Sequence, residues 1–183
     1  MRVRSCFAGM AEGLREHLVE GSESRDLFEY HRGRIAGMFA SQPDLPLHQD
    51  TVAGFVLGFM VTGTYFVPDG SVEQESMFPV LGGALLLGQD LPLDADPDST
   101  AGHGFVERAT RAGRELDVPE PPDEICDLVR RAFALAPDVP MCYASLGGFC
   151  LGVLYTNPYL SGSDAGPAML LAAACQLACD LPY

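Results

Sequence analysis

The chain contains no lysine and no tryptophan; its eleven Lys/Arg-type cations are all arginine. Without lysine there is neither a Schiff-base amine nor the lysine of a Walker-type phosphate loop. Positive charge is scarce overall, with 25 acidic residues and a formal net charge of −14. Such a field repels phosphate backbones and anionic lipid, so no nucleic-acid partner is expected. Arginine is missing altogether from 35–107 and from 132–183, and between Val139 and Cys179 the sole charged side chain is Asp164.

Long apolar runs are also missing. The stretch from Thr51 to Val67 falls short of the roughly 20 apolar residues a bilayer requires, and prolines or polar residues close the other runs early. Membrane insertion is therefore not expected. The first residues carry charge but no uninterrupted apolar run before Glu12, so no signal peptide is expected either. No GxGxxG, P-loop, HExxH, GxSxG or EF-hand pattern occurs. Asp94-Ala95-Asp96-Pro97-Asp98 alternates like a calcium loop but lacks its glycine and distal glutamate. No cofactor and no metal are expected.

Six cysteines are present, mostly within apolar helical stretches, which points to reduced thiols packed as small hydrophobes in a cytoplasmic protein. Cys175 and Cys179 lie one helical turn apart. That spacing permits a metal or redox pair, but with no histidine nearby buried packing is the plainer reading.

What the chain does contain is a repeated stretch. Gly54-Phe55-Val56-Leu57-Gly58 returns 94 residues later as Gly148-Phe149-Cys150-Leu151-Gly152, and Pro43-Asp44-Leu45-Pro46 returns as Pro137-Asp138-Val139-Pro140 at the same spacing. The ends echo as well, Asp90-Leu91-Pro92 against Asp180-Leu181-Pro182. At 183 residues and 48% apolar content the chain is large enough to bury a core. Apolar residues at three- and four-residue steps predict four helices in each copy, about Val3–Leu18, Arg25–Ser41, Thr51–Phe66 and Met77–Gly88 in the first. Ser24 is expected to cap the second helix and Asp50 the third, with Pro68-Asp69-Gly70 as a turn.

The expected fold is thus all-α, a single internally duplicated domain of two four-helix repeats related by a pseudo-twofold. Repeat one covers about 1–93, an acidic proline-rich linker 94–101, and repeat two about 102–183. The third and fourth helices of each copy are nearly charge-free and must be hidden, most simply with the two third helices against each other. Gly54/Gly58 and Gly148/Gly152 allow either close helix approach or a ligand-lining wall.

Residue-by-residue comparison of the copies marks the candidate sites. His31 stands where the second copy has Ile125, and His48-Gln49-Asp50 stands where it has Cys142-Tyr143-Ala144. One reading makes His31 and His48 acid/base or ligand-orienting groups at the mouth of an apolar pocket. The other makes His31 a hydrogen-bonded core histidine, with Tyr30, Glu29 or Asp50 as partner, and His48 a surface loop residue. Phe55, Phe59, Phe149 and Tyr155 are expected to line the pocket between the halves, with Tyr65 supplying a hydroxyl. Three functions follow: binding of an apolar small molecule, an interaction module that forms a homodimer, or a cofactor-independent enzyme using His31 or His48.

Overall fold

A computed structural model describes residues 3–19, 23–65, 74–91, 101–156 and 165–182. Within these the chain is all-helical: α1 Val3–Gly13, α2 Glu23–Ala40, α3 Gln49–Tyr65, α4 Gln74–Gln89, α5 His103–Glu115, α6 Asp123–Leu135, α7 Tyr143–Tyr155 and α8 Ala165–Cys179. The turn at Pro68–Gly70 and residues 94–100 of the expected linker lie outside the described residues. Among the described residues no helix is long and apolar enough to cross a membrane.

The first helix is shorter than its periodicity suggests. It stops at Gly13, and a single 3-10 turn, Arg15–His17, follows. Glycine weakens a helix interior, and the tighter turn brings the His17 ring edge-on to Phe78, 4.6 Å between centroids. Ser24 lies inside the first turn of α2 rather than capping it, its hydroxyl 3.3 Å from His17 Nδ1.

The third helix of each half is central. Both α3 and α7 are apolar on nearly every face and buried along most of their length, which requires neighbours all round. They pack on each other more extensively than any other pair of helices. The Ser145 carbonyl occupies the space a Gly54 side chain would need, and the Thr51 carbonyl does the same at Gly148. One turn on, Phe149 stands against Gly58 and Phe55 against Gly152. The contacts advance together along both helices, so α3 and α7 run in the same direction. Only glycine permits backbones this close.

The remaining helices surround this pair. In the first half α1 touches α3 and α4, and α2 lies along α4; in the second, α5 touches α7 and α8, and α6 meets α8. Aromatic pairs bind the second helix of each half to its third: Phe39 to Phe55 at 6.3 Å and Phe133 to Phe149 at 6.1 Å. Leu45, in the connector before α3, is buried against Gly102 and Gly147 of the other half. Gly102 adopts φ +87° there, a conformation that favours glycine.

The helix starts are built alike too. Thr51 Oγ1 accepts from the His48 backbone N–H (3.0 Å) and lies within donating distance of the Pro46 and His48 carbonyls, at 3.0 and 2.8 Å. Ser145 Oγ accepts from the Cys142 N–H (3.0 Å) and faces the Pro140 and Cys142 carbonyls, at 2.5 and 3.1 Å. Asp50, expected as the cap of α3, instead sits within the first turn. Its backbone N–H donates to His48 Nδ1 at 3.2 Å, so the capping side chain is histidine.

Candidate functional site

The structure divides the residues singled out in the sequence between two ends of the central helix pair. At the C-terminal end His31, Phe55, Phe59 and Tyr155 come together. His31 Nδ1 lies 2.7 Å from Tyr155 Oη, and the Tyr155 ring stands edge-on to Phe55 at 5.4 Å and to Phe59 at 6.1 Å. The Arg34 guanidinium sits over the rings of both Tyr30 (5.7 Å) and Tyr155 (5.4 Å), a cation–π arrangement. Burial, and secondarily the Arg34 charge, lowers the His31 pKa below the ordinary histidine value. Both effects favour the neutral ring, which can donate to the Tyr155 hydroxyl or accept from it.

His48 does not join this cluster. It caps α3 at the opposite end of the pair, about 20 Å away for helices of this length, and it is largely buried rather than a surface loop residue. Phe149 packs on Phe133, and Tyr65 is exposed. Phe55, Phe59 and Phe149 are each at most 1% exposed, in the core formed where α3 meets α7.

A second feature leaves no signal in the comparison at the 94-residue spacing. A groove of about 590 Å³ opens within the second half, lined by α5, α7, α8 and the connector that carries Val118 and Pro119. Its walls are mainly apolar, among them Phe105, Ala109, Leu154, Leu171 and Ala172, and its polar members include Thr110, Arg114, Cys150 and Cys175. An adjoining cavity of about 400 Å³ is far more polar, with His103, Glu107, Arg111 and Tyr143, and shares Thr110, Arg114 and Cys179 with the groove.

Comparing α4 with α8 explains why the groove is open. At a spacing of 90 residues Leu81-Gly82-Gly83-Ala84-Leu85 matches Leu171-Ala172-Ala173-Ala174-Cys175, and Phe78 matches Ala168. In the first half Phe78 fills the space between His17 and Phe28, 4.6 and 5.3 Å between ring centroids. Gly82 admits the Phe28 ring, and Gly83 admits the backbone of His31 and Arg32. Accordingly α2 packs along α4 far more extensively than α6 does along α8. The second half has alanine where the first has Phe78 and cysteine where it has Leu85. The signal was therefore available in the sequence, but only after the spacing shifts from 94 to 90 between the third and fourth helices.

Two thiols meet on the groove wall. The Cys150 thiol is pushed well up because its proton bonds Cys175 and because it is buried. Cys175 is pulled down chiefly by that bond, against the opposing effect of burial and with help from Thr110. Cys126, Cys142, Cys150, Cys175 and Cys179 are free thiols, and among the described residues no cluster of three or more His, Cys, Asp or Glu is arranged to hold a metal ion.

No protein-family model matches the chain, and comparison with curated proteins and with solved structures returns no match either.

Proposed function

We propose that the chain is an internally duplicated helical domain whose second repeat binds an apolar small molecule. In this reading two four-helix repeats meet about a pseudo-twofold running along α3 and α7. Support comes from contacts that recur at the 94-residue spacing: the reciprocal glycine approaches, the Thr51 and Ser145 caps, and the Phe39–Phe55 and Phe133–Phe149 pairs. A cytoplasmic, reducing setting belongs to the same reading and suits a groove that carries thiols.

The observation that carries the function is the groove of about 590 Å³ at the place where the first repeat is filled by Phe78. Ligand sites are concave, mostly apolar and provided with a few convergent polar groups. The α3–α7 pair serves as the rigid scaffold beneath it. Binding of an uncharged polarity-sensitive dye, measured together with solution size, tests the proposal. A monomer that takes up the dye, and loses it on Ala168→Phe or Ala172→Phe, agrees with it. A tight dimer that excludes the dye favours the interaction-module reading instead.

One observation favours a second reading, acid–base chemistry at His31: the 2.7 Å contact with Tyr155 joins two titratable groups buried in an aromatic cluster. Loss of a reaction, with folding intact, in His31→Ile is its test.

A further inference from the structure

We propose that the groove selects a single-chain amphiphile with a monoanionic head, its apolar tail lying along α7 and α8 and its carboxylate held at Arg114; this rests on the groove being a ligand site. Arg114 lines both the apolar groove and the polar cavity beside it, so it marks the junction between an apolar space and a polar one. The other arginines of α5 are engaged: Arg108 with Asp44, and Arg111 with Glu107 at 3.3 Å. Among the described residues no carboxylate stands at ion-pair distance from Arg114.

Thr110 supplies an independent observation at the same junction. Its hydroxyl is buried beside the Cys175 sulfur, a weak acceptor, and has no other hydrogen-bond partner among the described residues, while the residue lines both cavities. A buried hydroxyl left in this state is costly, and a ligand head group at Arg114 offers it a partner. The overall charge of −14 repels anions at large, so selection must come from a local cation. Glu107 and Glu120 flank the two cavities and disfavour a second negative charge, which is why a carboxylate fits better than a phosphate dianion.

The test uses the full chain loaded with an uncharged polarity-sensitive dye. Dodecanoate, dodecan-1-ol and dodecyltrimethylammonium are titrated separately, each below its micelle concentration. Dodecanoate is expected to displace the dye at about tenfold lower concentration than the alcohol, the scale of one charge-assisted hydrogen bond. Arg114→Gln, an exposed position at which folding is checked by circular dichroism, is expected to bring the two curves together. Equal or stronger displacement by the alcohol or the ammonium overturns the anionic head while leaving the groove as a binding site. A preference for dodecanoate that survives Arg114→Gln also overturns it. Failure of the dye to bind at all overturns the groove reading and this inference with it.

Discussion

The two halves of the chain each contribute four of the described α-helices, yet the space beside α4 and the space beside α8 are treated differently. In the first half glycines at 82 and 83 draw α2 onto α4, and Phe78 closes what remains between Phe28 and His17. In the second half alanines and a cysteine stand at the matching positions, α6 makes less of α8, and a groove of about 590 Å³ results. Phe78 beside α4 and Ala168 beside α8 thus go with closer helix packing at the first place and a groove at the second. Cores respond to volume changes of even one methylene, so such a contrast needs no change of topology.

The sharpest way to break the comparison is at its shared centre. Gly54→Ala and Gly148→Ala each drive a Cβ into a backbone carbonyl across the α3–α7 contact. Each is expected to cost about 3 kcal/mol or more, because backbone cannot move aside as a side chain can. Chemical denaturation checks this, and effects of similar size at the two positions are expected if the halves meet symmetrically.

A smaller effect separates the halves. Gly83→Ala, which meets the backbone of Arg32, is expected to lose about 1–3 kcal/mol. The reverse change at the matching position, Ala173→Gly, should lose about 1 kcal/mol, through helix propensity. A Gly83→Ala protein as stable as the parent would remove the close packing beside α4 on which the contrast with α8 rests.

The polar link between halves comes next. His31 and Tyr155 occupy positions whose counterparts at the 94-residue spacing are Ile125 and Val61. His31→Ile is expected to cost about 1 kcal/mol by removing the hydrogen bond. In a double-mutant cycle, adding Tyr155→Val should cost less than it does alone. The pH dependence has a definite sign. With its folded pKa below 6.5, His31 binds its proton more readily in the unfolded chain. Its contribution is complete above 6.5 and is lost as pH falls through that value toward the lowered pKa. Thermal melts of His31→Ile across this range should lack that component.

The smallest effect sharpens the role of glycine itself. Gly33, on the exposed side of α2, has nothing within 4 Å of a Cβ. Gly33→Ala should therefore raise stability by about 0.5–1 kcal/mol, where the same change at Gly54 destabilises.

Much of the helical layout was legible. Apolar residues at three- and four-residue steps, with prolines and glycines at the breaks, located the eight described α-helices, although the first was expected to run to Leu18 and stops at Gly13. The glycine pairs announced the close approach of α3 and α7. The cap of α3 was not legible, because an aspartate is a common cap and a histidine ring is not, although His48 accepts the Asp50 N–H in the same way. Tyr30, Glu29 and Asp50 are the partners of His31 that the sequence suggests, and the structure pairs it with Tyr155 instead. Both members of that bond are the polar exceptions in the copy comparison, a pairing visible only once they are treated together.

By itself the sequence determined where helices start and stop and which of them are too apolar to face water, because these follow from local periodicity and backbone chemistry. It also determined that only α3 and α7 have glycines in matching register, since that requires no knowledge of their neighbours. The tertiary structure alone decided that His31 and Tyr155 are hydrogen-bonded, that Cys150 meets Cys175, and that a groove opens within the second half. Each of these depends on which faces of separate helices meet and on how closely, a matter of summed side-chain volumes across the interface rather than of any one stretch of chain.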